Sequence, residues 1–276
     1  MVFDCFIWRK GPALKLRDVQ YSVIAREISV IQNFVEYHYL KKIKLGSTGL
    51  RLYLVQSKDE ERMDKPIKGD YPLLNFYMYF DFEHYANLSD IYEKKKTIIA
   101  MFKEGIYRAA EFMSWDMDQL MDAFNQIDAL DYTFVNITKR KRLKGVKRYM
   151  QIETVCEPGF YHYYLAVKEK DELISRHKII TLNSFYNLFW EHNRIVSEVR
   201  WEDANTFIIV GKKGHLERIR FEYKLDKDQI SMIFNLEPDL NKDEFMEEFD
   251  LATTEDIEKI EKVLSNRNTS KWHIYL

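Results

Sequence analysis

The segment LLNFYMYFDFEHY, residues 73–85, alternates its side chains with period two. Phe76, Met78, Phe80 and Phe82 fall on one side, and Tyr77, Tyr79, Asp81 and Glu83 on the other. Period two is the geometry of an extended strand, whose successive side chains point to opposite faces. A face of large apolar residues has to be covered, so the rest of the chain must supply helices or a second sheet. The sequence predicts that cover directly afterwards. Asp90 with Glu93 has the spacing of a capping box and opens a helix through about Met113, with Ile91, Ile98, Phe102, Ile106, Ala110 and Met113 as its apolar stripe. Asp116 with Gln119 repeats the spacing and starts a shorter helix in which Leu120, Phe124 and Ile127 share a face. The two form a helical hairpin over the strand.

Upstream, residues 2–9 read as a first strand. From Tyr21 to Leu40 the residues Ile24, Ile28, Ile31, Val35 and His38 recur every three or four positions, the period of an amphipathic helix. The stretch KIKLGSTGLRLYLVQS reads as strands around a Gly46–Gly49 turn, and the charged residues 57–72 as a solvated loop. Beyond residue 146 strands dominate, at 147–156, 159–168, 195–201, 204–210, 216–224 and 229–234, with SFYNLFWEHN as a short helix among them. The expected fold is α+β: antiparallel sheets covered by helices in two similar-sized subdomains, 1–138 and 139–276. The likeness of GLRLYLVQSKDE to GFYHYYLAVKEKDE raises a duplication, against which stands a helical hairpin with no second copy.

The boundary rests on charge. TKRKRLKGVKR at 138–148 carries Lys139, Arg140, Lys141, Arg142, Lys144, Lys147 and Arg148, and reads as a solvated connector between domains. A phosphate backbone is its lesser reading, because no paired basic stripe accompanies it. Residues 237–261 hold eleven acids against two lysines, a local charge of -9 that leaves +7 for the remainder of a chain whose net charge is -2. Phe245, Met246 and Phe249, then Ile257, Ile260 and Leu264, repeat at helical spacing, so this tail is expected to form two short acidic helices.

Composition closes several classes. With 9 Gly and 5 Pro in 276 residues, the chain is neither collagen-like nor linker-rich. Two cysteines, Cys5 and Cys156, provide neither a disulfide framework nor a four-thiolate zinc site. No stretch approaches the length of a transmembrane helix, and the N-terminus lacks a signal peptide's basic flank, which gives the expectation of a cytoplasmic protein with no membrane partner. Phosphate loops, dinucleotide fingerprints, HExxH, GxSxG and EF-hand spacings are absent, so no cofactor and no metal is expected. Asp81, Glu83, His84 and Glu202 are the side chains that a metal-assisted hydrolase or nuclease-like enzyme would use, if they converged. Tyr77, Tyr79 and Tyr85, with Tyr161 and Tyr163, combine large rigid rings with polar tips, a composition that suits a protein interface or a homodimer face.

The charged loop, the aromatic strand and then EKKKTIIAMFKEGIYRAAEFMSWDMDQLMDAF make residues 40–137 resemble bacterial polymorphic-toxin immunity proteins. The resemblance implies an α+β protein that neutralises a toxin by binding it, and it supplies no catalytic residue. The expected function is therefore a non-enzymatic protein-binding module, an immunity or inhibitor protein in its specific form. Its partner would be a basic toxin domain, met by Glu244, Glu247 and Glu248 of the acidic tail together with the tyrosines.

Overall fold

A computed structural model describes residues 2–7, 18–43, 49–56, 58, 62–64, 66–68, 73–145, 147–183, 196–211, 219–235, 257–258, 261–262 and 271–275. The protein is α+β and divides into two compact units, Met1–Phe134 with Glu157–Gly159, and Val135–Cys156 with Phe160–Leu276. Among the described residues, no helix is long and apolar enough to cross a membrane.

The first unit holds strands β1 (Phe3–Ile7), β2 (Gly49–Val55), β3 (Ile67–Lys68) and β4 (Leu73–Tyr79) in the order β1-β2-β4-β3. Here the antiparallel expectation is corrected: β1 pairs with β2, and β2 with β4, in parallel. Only β3 runs antiparallel to its neighbour. The reason lies in helix α1 (Asp18–His38), which separates β1 from β2, because a crossover of this length returns the chain in the same direction. Ile24, Ile28, Ile31 and Val35 of α1 are buried, as their spacing predicts. His38 is half-buried, with its ring centroid 4.6 Å from that of Phe34.

Helix α1 also closes an edge. The Cys5 N–H donates to Gln32 Oε1 at 3.1 Å, Gln32 Nε2 donates to the Phe3 carbonyl at 3.0 Å, and the Phe3 N–H donates to Glu36 Oε1 at 3.4 Å. Side chains thus occupy backbone groups that an exposed edge strand would offer to another chain. Burial pushes the Cys5 thiol well above its ordinary range, with Asp4 adding to the shift, which makes it a poor nucleophile.

The strand predicted over 73–85 ends at Tyr79, and residues Phe82–Ala86 form helix α2. Asp81 is the cause: its Oδ1 accepts the His84 N–H at 2.9 Å and caps the helix. The apolar set survives this change, since Phe76, Met78, Phe80 and Phe82 are all buried. Helices α3 (Ile91–Met113) and α4 (Met117–Asp128) start at Asp90 and Asp116, whose carboxylates accept backbone N–H groups of the first turn. Gly105 lets α3 lie close on the sheet, for a Cβ there would sit 2.8 Å from Leu52 Cδ1 and 2.9 Å from Met78 Sδ. Phe3 and Phe102 meet edge to face, centroids 5.1 Å apart, in the core between them.

The second unit holds two antiparallel meanders. One is β5 (Val135–Arg142), β6 (Arg148–Glu157), β7 (Phe160–Glu169) and β8 (Glu172–Asn183). The other is β9 (Glu198–Trp201), β10 (Thr206–Val210), β11 (Ile219–Lys224), β12 (Gln229–Asn235) and β13 (Lys271–Tyr275). The sequence reading lacked β5 and β8. β5 ends in a run of charge and β8 carries Arg176, His177 and Lys178 in its middle, which masks the alternation of both. The basic run is therefore corrected from a connector to a strand and its turn. The duplication fails on topology, since GLRLYLV lies in a parallel arrangement and GFYHYYLAV in a meander.

Asp228 ties the meanders together. Its Oδ1 accepts from Ser175 Oγ at 2.7 Å and Tyr223 Oη at 2.7 Å, and lies 2.9 Å from His177 Nε2. Partial burial pushes its carboxyl up, but these hydrogen bonds outweigh it and hold it below the usual carboxylate range. A carboxyl so lowered stabilises the fold above its unfolded pKa, about 4, and loses that contribution as pH falls through the folded value. Asp228→Asn is expected to flatten the fall in stability below about pH 4 and to cost no more than about 1 kcal/mol at neutral pH, the carboxylate being half-exposed. Urea denaturation followed from pH 7 to pH 3 measures both.

Candidate functional site

The tyrosines proposed as an interface are mostly core. Tyr77 is 5% exposed, and Tyr85, Tyr161 and Tyr163 are 0% exposed. Tyr77 stacks on Tyr53 with centroids 4.7 Å apart, beneath the Arg62 guanidinium. Tyr85 packs against Phe80, and burial, followed by the nearby Glu27 carboxylate, raises its phenol well above the ordinary range. Tyr79 alone keeps a half-exposed ring, with Lys58 Nζ 4.8 Å from its centroid. The alternation is real, but the face of β7 that carries Tyr161 and Tyr163 is the buried one, Tyr77 is covered beside Tyr53, and Tyr85 is buried in α2. A binding or dimer face built from Tyr77, Tyr85, Tyr161 and Tyr163 is corrected on that ground.

Of the four residues proposed for hydrolysis, Asp81 and His84 share a cavity of about 350 Å³ lined also by Tyr79, Glu93, Lys96 and Glu104. Asp81 is committed to capping α2, and Glu93 and Glu104 pair with Lys96 and Arg108. Glu83 sits half-buried in the first turn of the same helix. Glu202 belongs to the second unit, where it pairs with Arg220 at 3.1 Å. Among the described residues, no three His, Cys, Asp or Glu side chains converge to hold a metal ion. Glu244, Glu247 and Glu248 lie outside the described residues, as does the acidic tail apart from 257–258 and 261–262, which are helical.

The surface that stands out is the corner between α3 and α4. Phe112 is 65% exposed and Met121 48% exposed, while Met113, Trp115 and Met117 are half-buried between them in sequence. Phe112 lies in the last turn of α3 and Met121 in the second turn of α4, so two exposed apolar side chains flank one short connection, and methionine adapts to varied partners. Glu111, Asp116, Asp118 and Asp122 stand exposed among them, and none has an ion-pair partner among the described residues.

The corner is held firmly. α3 ends on Ser114 in the left-handed conformation (φ 52°), and the Trp115 N–H returns to the Ala110 carbonyl at 2.9 Å. Asp116 accepts the Asp118 N–H at 3.0 Å, and Gln119 Nε2 reaches back to its Oδ2 at 2.6 Å. The Gln119 side chain first, then the backbone N–H groups, hold the Asp116 carboxyl below its usual range. The N-terminus of α4 favours negative charge at Asp116, its cap, and at Asp118 in its first turn.

A sequence signal for this corner was present and unused: no Lys, Arg or His occurs between Arg108 and Lys139, whereas Glu111, Asp116, Asp118, Asp122, Asp128 and Asp131 do. Compared with protein-family models, with curated proteins and with solved structures, the chain matches none.

Proposed function

We propose that the chain is a non-enzymatic protein-binding module that receives a basic, partly apolar partner surface on the α3–α4 corner. The observation that carries this reading is that exposed Phe112 and Met121 flank a capped turn in the chain, with Glu111, Asp118 and Asp122 exposed beside the capping Asp116 and outside any ion pair among the described residues. Phe112 supplies an anchor that gains from being desolvated, and the carboxylates steer and orient a cationic partner. An immunity or inhibitor role follows as its specific form: the corner would cover the working surface of a basic toxin domain. Glu244, Glu247 and Glu248 are a separate acidic candidate for the same class of partner.

A labelled amphipathic helix of Leu and Lys, titrated against the full chain by fluorescence anisotropy, tests this reading. The Leu/Lys helix is expected to bind more weakly as salt rises, and its Leu/Glu counterpart not to bind. Phe112→Ser with Met121→Ser should weaken binding by about tenfold or more. Equal binding of both peptides, or an unaffected double variant, would remove the corner from the account.

A further inference from the structure

The basic run has a use that the binding corner does not absorb. The meander β5-β6-β7-β8 brings the β5–β6 turn and the β7–β8 turn to the same end of the sheet. Gly145 (φ 81°) lies in the first, and Lys170 (φ 48°) with Asp171 (φ 72°) makes the second a two-residue turn. Alternation along β5 separates Arg140 and Arg142 on one face from Lys139 and Lys141 on the other. The first face opens on a cavity of about 290 Å³ lined by Arg140, Arg142, Lys147, Tyr149, Lys170 and Asp171.

Four cations thus converge against one carboxylate, and that carboxylate is already engaged, since Tyr149 Oη donates to Asp171 Oδ1 at 2.6 Å. None of the four cations is in an ion pair among the described residues. Arg140 is fixed in place: its Nε and Nη2 donate to Gln151 Oε1 at 3.2 and 2.9 Å, and its guanidinium lies 4.8 Å from the Tyr149 ring centroid. Gln151 is fully buried, and its Nε2 donates to Glu153 Oε1 at 2.7 Å. A guanidinium anchored on one edge and backed by an aromatic face presents its other edge without reorganising.

We propose that this cradle binds a terminal phosphate, a phosphomonoester or diphosphate group, at the turn end of the β5–β8 sheet. Uncompensated like charges repel one another, and an anion between them removes the repulsion and gains charge-assisted hydrogen bonds. The cavity is at or below the small end of ligand pockets, so it suits a phosphate-bearing group rather than a whole large cofactor. A terminal group concentrates its charge at one point, as the converging cations require. A phosphodiester backbone spreads single charges along a track instead.

Isothermal titration of the full chain with inorganic pyrophosphate tests the proposal. The wild-type chain is expected to bind one pyrophosphate, and Arg142→Glu with Lys170→Glu to weaken it by about tenfold or more. Lys139→Glu with Lys141→Glu makes the same charge change on the opposite face and should alter affinity by less than about threefold. Arg142→Gln with Lys170→Gln, gentler to the fold, should still weaken binding by several-fold; unchanged affinity there would overturn the site. So would no one-to-one binding by the wild type, or equal loss from both reversal pairs. Tighter binding of a single-stranded oligonucleotide lacking terminal phosphates would replace the terminal-group reading with a backbone track.

Discussion

Tyr163→Ala is expected to destabilise the second unit by about 3–5 kcal/mol, the cost of removing a fully buried aromatic side chain and leaving its cavity. Urea denaturation should show a lower midpoint with an unchanged slope. The neighbouring strand explains the size of the effect: β6 is buried on both faces from Tyr149 to Thr154, so little space exists into which the site can collapse. Tyr161→Ala should behave alike. A loss below about 0.5 kcal/mol, as for a surface residue, would return these tyrosines to an interface.

Glu153→Ala is expected to cost about 3 kcal/mol by a different route. Glu153 is 7% exposed and holds Lys168 Nζ at 3.4 Å and Arg176 Nε at 3.1 Å, as well as the Gln151 amide. Removing the carboxylate leaves two half-buried cations facing each other and Gln151 without its acceptor. Glu153→Gln keeps an acceptor and loses the charge, so it should fall between the wild type and Glu153→Ala. Lys168→Ala should cost less than either, because Arg176 still neutralises the acid. Denaturation of the three variants gives that order. An order with Lys168→Ala as the most damaging would show that Glu153 is not the centre of the network.

Much of the first unit was legible in the sequence. The caps at Asp90 and Asp116 and the stripes of α1, α3 and α4 depend on neighbours three or four residues away, and the sequence shows such neighbours directly. Ile91 departs from its stripe because it stands at the first turn, past the edge of what α3 covers, and is exposed. The parallel pairing of β1, β2 and β4 was not legible, since alternation records faces and not direction. Nor was the fate of Asp81, where a local side-chain bond to the His84 N–H outcompeted strand extension.

The candidate sites were legible only in part, and for one reason. Tyrosine reads as amphipathic wherever it occurs, and which face of a strand is buried is decided by partners distant in sequence. Tyr161 and Tyr163 illustrate this. The opposite holds at the α3–α4 corner, where the absence of cations from 109 to 138 and the pattern of Phe112, Trp115, Met117 and Met121 are local features. The basic cradle needed topology: Arg140 and Arg142 are separated from Lys170 by a whole hairpin.

Amide hydrogen exchange of the full chain, alone and saturated with the Leu/Lys helix, tests the binding corner most directly. Slowed exchange confined to residues 109–123 is the predicted result. Slowed exchange elsewhere with none at 109–123 would contradict it.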